Sequence, residues 1–249
     1  MQDWLVPAKN LVKSSLDFVG LEIRRSEQAA RYLDPARIRR EAERSGTAVP
    51  EYVERVLGIS GNTDRVFAFL DALGVLNHEI ESFLEIGPGT GRYCERVFRR
   101  FSPKTYQIYE LSPGWTEYLV DRFGVTAMPA DGGSLSSTAS ESIEFVHAHG
   151  VLVYTPFLVT CAYLKEMARV VRQGGCLVFD ILSNDTLCPD LIEKWLKSPH
   201  RYPALFPKEC VFNFLHGFDL IEARIIPYDF AVSEYLVLRK RTMDPNRVG

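Results

Sequence analysis

From residue 83 onward, apolar runs of strand length alternate with stretches whose apolar positions recur at helical spacing. The runs are 83–86, 105–111, 125–129, 143–148 and 176–182, and helices are expected between them near 92–100, 113–123, 157–170 and 190–197. Strands this apolar, separated by helices, predict a parallel sheet covered on both faces, so the chain reads as α/β. Gly174-Gly175 ahead of the fifth run reads as a helix exit and a sharp turn. Two further strands, 219–226 and 233–239, follow without a long helix between them and predict a terminal hairpin.

Residues 1–78 show helical spacing and no strong strand. The stretch 36–44 mixes Arg with Glu and reads as a solvated helix face. Pro50 suits a first helical turn, with Val53, Val56 and Leu57 on one face. Asn62 or Thr63 is expected to cap a helix carrying Val66, Phe67, Phe69, Leu70 and Leu73, which Gly74 ends. The chain therefore divides into a helical segment, 1–78, and an α/β domain, 79–249.

Composition narrows the function. A net charge of -3 over 249 residues gives no general attraction to polyanions, so a nucleic-acid partner is not expected. The five cysteines stand apart with no C-x-x-C pair, as in a reducing compartment. The apolar stretch 151–164 is broken by Pro156 and too short for a bilayer, and the opening Met-Gln-Asp-Trp lacks the pattern of a signal peptide. A cytoplasmic protein without a membrane partner is expected.

The chemistry concentrates at 82–92, Ser-Phe-Leu-Glu-Ile-Gly-Pro-Gly-Thr-Gly-Arg. A strand running into glycines at 87, 89 and 91 brings bare backbone close to a ligand; the plainer reading is a tight strand-to-helix turn. The dinucleotide fingerprint G-x-G-x-x-G would need a third glycine where Arg92 stands, and no G-K-[ST] follows to make a P-loop. Glu85, two residues before the first glycine, would repel a diphosphate and suits a cationic ligand.

With Glu85, Gly87, Gly89 and Gly91, this pattern resembles motif I of the class I S-adenosylmethionine (AdoMet) methyltransferases, over roughly residues 82–240. The stretches 146–156 and 163–170 are similar to the methyltransferase type 11/23 group. The resemblance implies a seven-stranded, mostly parallel Rossmann-like sheet of order 3-2-1-4-5-7-6 with strand 7 antiparallel, and AdoMet as cofactor. It implies that 1–78 is a helical cap or lid, against the alternative of a structural layer. Glu110, 19 positions beyond Gly91, would take the ribose hydroxyls, a role that an NAD site would share; Leu111 would pack on the adenine. Asp131, followed by Gly132, would take the adenine amino group, or would simply build a turn.

Alternation puts His147 and His149 on one side of the fourth strand, and His149, nearer its C-terminal end, is the candidate catalytic base; holding the cofactor is the other reading. Asp180, Asn184 and Asp185 follow no metal-site spacing, so no metal is assigned, and Asp180 is left to face the substrate. Tyr154, Trp195, Tyr202, Phe206, Phe212 and Tyr228 offer aromatic surface near the acceptor region. The resemblance implies O-methylation of a sugar or secondary-metabolite hydroxyl, with N- or C-methylation, or a non-catalytic AdoMet-binding subunit, as alternatives. A homodimer is compatible with it.

Overall fold

The computed structural model describes residues 33–76, 79–197, 204–228 and 231–242. The first 32 residues of the expected cap, Tyr202, and the side chains of Trp195 and Tyr228 lie outside the described residues. The sheet has seven strands: β1 (Ser82–Ile86), β2 (Thr105–Tyr109), β3 (Thr126–Ala127), β4 (Ile143–Ala148), β5 (Val171–Ile181), β6 (Phe218–Tyr228) and β7 (Ala231–Lys240), ordered β3-β2-β1-β4-β5-β7-β6. β1 to β5 pair in parallel and β7 runs antiparallel to β5 and β6. This is the expected order.

The helices are α1 (Pro35–Arg44), α2 (Val49–Val56), α3 (Asn62–Ala72), α4 (Arg92–Arg100), α5 (Pro113–Phe123), α6 (Phe157–Val170), α7 (Pro189–Lys197) and α8 (Lys208–Phe214). Strand alternation divides the sheet's side chains between two cores. Phe83, Tyr106, Phe145, Val178 and Val237 share one with Val53, Val66, Phe69 and Leu70 of α2 and α3 and with Val97 and Leu119 of α4 and α5. Leu84, Val146, Leu177, Phe179 and Leu236 share the other with Leu164 and Met167 of α6 and Val211 of α8.

Three local expectations are corrected. Asn62 and Thr63 do not cap α3: they lie inside it, Gly61 occupies the cap position at φ 73°, and the capping carboxylate is Glu54 of α2. Glu54 accepts from the amides of Gly61 (2.7 Å) and Thr63 (2.9 Å) and from the Thr63 hydroxyl. Gly174-Gly175 do not precede β5 but lie inside it, where the register against β4 jumps from Ile143↔Val171 to Phe145↔Cys176. A Cβ on Gly175 would stand 2.8 Å from the carbonyl oxygen of Glu144, so the bulge closes only over a glycine. The short helix α8, absent from the sequence reading, seats Val211 in the second core.

Candidate active site

The glycine turn leaves the C-terminal end of β1, at the centre of the sheet, and enters α4. Gly87, Gly89 and Gly91 all take positive φ, at 60°, 51° and 77°. Their surroundings differ. A Cβ on Gly87 would lie 2.5 Å from Val151, and one on Gly91 would lie 2.6 Å from Leu119, so these two let the turn pack on its own protein. A Cβ on Gly89 would meet nothing closer than the Gly87 carbonyl oxygen at 4.0 Å. Gly89 is the glycine that faces open space.

Glu110, just beyond β2, reaches across to this turn: one carboxylate oxygen accepts from the Gly89 amide (2.9 Å), the other from the Ser112 amide (2.8 Å). Burial raises its pKa, and the Ser112 and Gly89 amides oppose the rise. Leu111 is 65% exposed, and a Cβ on Gly132 would lie 3.5 Å from its side chain, so the Asp131-Gly132 loop borders Leu111. Asp131 accepts from the amides of Gly133 and Ser134 and from the Ser134 hydroxyl, contacts that hold its carboxyl below the usual range. It builds the turn, and the same carboxylate stays exposed beside Gly132.

Glu85 and the two histidines lie in a buried polar cluster on the α3–α4 face of the sheet. Glu85 pairs with His147 across the β1–β4 register; its carboxylate accepts from Tyr106 Oη (2.6 Å) and stands 3.5 Å from His147 Nδ1. His147 Nε2 is 2.7 Å from the Tyr235 hydroxyl, and the Tyr93 ring lies 4.3 Å from His147 and 5.2 Å from His149. His149 Nδ1 stands 3.6 Å from Asp180, which accepts from the Gly150 amide and the Ser233 hydroxyl, both at 2.8 Å. Burial pushes Asp180 up to about 6; burial, with Arg92 and His147 nearby, holds His149 well below 6.5.

Asp180 is fully buried and ties β5 to β7 and to the turn after β4. Asp185 turns outward to Lys208. No group of three or more His, Cys, Asp or Glu side chains among the described residues is arranged to hold a metal. Phe206 is buried against Phe157, with ring centroids 5.1 Å apart, whereas Tyr154 and Phe212 remain partly exposed.

Sequence reasoning missed Tyr93, Tyr235, Ser233 and Glu54. Tyr235 carries a faint signal, as the one aromatic residue among the alternating aliphatic positions of the last strand.

Residues 83–175 match the sequence model of the methyltransferase domain family. Similar solved structures include the N-methyltransferase NodS from Bradyrhizobium japonicum in complex with S-adenosyl-L-homocysteine, with a TM-score of 0.54 and 15% identity over 72% of this chain and 87% of that one. Magnesium protoporphyrin IX methyltransferase from Synechocystis, with the same ligand bound, gives 0.57 and 17% over 78% and 86%. The [4+2]-cyclase SpnF gives 0.55 and 16% over 72% and 81%. A sequence search among curated proteins finds no match.

The matched segment and the strand order define a class I methyltransferase domain, whose cofactor is AdoMet. The chain carries that domain over residues 83–175 and shares its fold with these methyltransferases. The residues present fit the cofactor: an open space over Gly89 that a side chain would fill, and a carboxylate at Glu110 fixed against the same turn.

Proposed function

We propose that this methyltransferase acts on a small molecule, transferring a methyl group to a hydroxyl of a sugar or secondary metabolite. The observation that carries the cofactor half of the reading is the Glu110 carboxylate clamped to the Gly89 amide beside the open glycine, a cradle shaped for a nucleoside; the hydroxyl acceptor rests on the family resemblance of the sequence. The named activities of NodS and of the protoporphyrin methyltransferase support a small acceptor. In this reading 1–78 keeps the role of cap and 79–249 that of cofactor domain. The reading keeps the expectation of a cytoplasmic protein that acts without nucleic acid, which rests on charge and cysteine usage. No described helix is long and apolar enough to cross a membrane.

AdoMet supplies, when bound, a methyl group already activated on sulfonium. The chain aligns donor and acceptor, excludes water and removes a proton. Glu110 receives the ribose hydroxyls, Leu111 packs on the adenine, and Asp131 beside Gly132 takes its amino group. Gly87 and Gly91 set the path of the turn, and Glu85 places a negative charge beneath it. His149 takes the acceptor proton at the end of β4. Its lowered pKa keeps the imidazole neutral, the form a base requires, and Asp180 at 3.6 Å stabilises the imidazolium once formed.

The test supplies AdoMet with hydroxyl, amine and carbon acceptors and follows S-adenosylhomocysteine release. Product is expected with a hydroxylated metabolite, and H149A should lower kcat about 100-fold or more while AdoMet affinity changes little. Binding of AdoMet with no product from any acceptor would replace this reading with a non-catalytic role or with other chemistry on the same fold, as in the cyclase.

A further inference from the structure

We infer that Arg92 receives the α-carboxylate at the methionine end of the cofactor, an assignment that rests on the placement of the adenosine half at Glu110–Asp131 proposed above. Arg92 opens α4 directly after Gly91. Its side chain is 16% exposed, and its Nη1 is buried with no hydrogen-bond partner among the described residues. The neighbouring acid cannot supply one: Glu54 Oε1 stands 4.0 Å away and already accepts from the Thr63 amide and hydroxyl, and Oε2 accepts from Gly61. A buried guanidinium N–H without an acceptor is costly, and a carboxylate is the group its planar fork matches.

Chain adjacency to Gly91, the cap residue of α4, places that demand beside the glycine turn. The guanidinium lies 5.9 Å from the centroid of the Tyr93 ring, whose own hydroxyl is buried without a partner among the described residues. Its charge also reaches His149, at the end of β4. Arg92 lines a cavity of about 330 Å³ between α2, α3 and α4, shared with Arg55, Arg96 and Arg99 and with the acids Glu51, Glu54, Asp64 and Glu95. Arg96 is committed to Asp64 and Glu95, and Arg99 to Glu95. With the ribose and adenine ends assigned, the amino-acid end of AdoMet brings the only carboxylate the ligand has.

The experiment measures, by calorimetry on the full chain, the binding of AdoMet, decarboxylated AdoMet and methylthioadenosine to the wild type, R92Q and R92K. The wild type should prefer AdoMet over its decarboxylated form by about 10- to 100-fold, the worth of a charge-assisted pair. R92Q should erase that preference and leave methylthioadenosine affinity within about threefold, which also shows that the variant is folded. R92K should recover only part of the preference. Equal wild-type affinity for AdoMet and its decarboxylated form overturns the inference and leaves the cofactor assignment intact; so does an R92Q loss that extends equally to methylthioadenosine. Failure of the wild type to bind AdoMet overturns both.

Discussion

Gly89 differs from its two neighbours in a way that spacing alone does not show. All three glycines are legible in the sequence as a ligand turn, but Val151 and Leu119, which explain Gly87 and Gly91, arrive from the turn after β4 and from α5, far along the chain. Only the folded protein separates packing glycines from the one facing open space. Gly89→Val should keep the fold, apart from about 1 kcal/mol of left-handed backbone strain, and should abolish AdoMet binding. Calorimetry beside a thermal melt checks this, and unchanged affinity would remove Gly89 from the site. Asp131 shows the opposite limit. Asp-Gly-Gly predicts a turn and a ligand contact equally well, and the structure fills the turn role while leaving the carboxylate exposed. His149 was legible by strand alternation; its burial beside Asp180 was not, because β5 brings Asp180 to it and Ser233 of β7 holds that carboxylate.

At the scale of elements, α4, α5 and α6 span the residues expected from periodicity, since each carries its own start and stop signals in local sequence. The cap of α3 does not. Glu54 sits 9 positions before Thr63, and a carboxylate lent by the preceding helix leaves no signature at the helix start. Glu54→Ala should therefore cost more than an ordinary surface cap. It strands two amides and one hydroxyl in a largely buried place, an expected loss of about 3 kcal/mol. Urea denaturation measures it, and a loss under about 1 kcal/mol would show that water replaces the carboxylate. The β5 bulge was misread for a related reason. Gly174-Gly175 is ordinary turn chemistry, and what makes it a bulge is the Glu144 carbonyl on the neighbouring strand.

Across the whole molecule, the buried cluster couples stability to pH through two opposed groups. Asp180 has a folded pKa of about 6 against an ordinary 3.8, so as pH falls from 6 to 4 the folded protein takes up a proton that the unfolded chain does not, and stability rises. His149 is held well below 6.5, so as pH falls through 6.5 the unfolded chain takes the proton and stability falls. Removing one group exposes the other. Relative to the wild type, D180N should gain stability at pH 7 and lose that advantage by pH 4, a swing of about 3 kcal/mol in urea unfolding. A difference that stays constant with pH would show that Asp180 keeps its ordinary pKa in the fold.

The strand order was legible because it follows from a familiar motif at a familiar distance from a terminal hairpin. The partnership of α2 and α3 with the sheet was not, since helical spacing marks an apolar face without naming what it covers. Val53, Val66, Phe69 and Leu70 close the same core as Phe83, Tyr106 and Phe145, although they lie upstream of the segment that matches the family. The stretch that inheritance keeps recognisable is thus smaller than the stretch that physics keeps together. Recombination that moved residues 83–175 alone into another protein would carry the cofactor's glycines and leave an aromatic face of the sheet bare. The piece that can travel intact begins no later than Pro35.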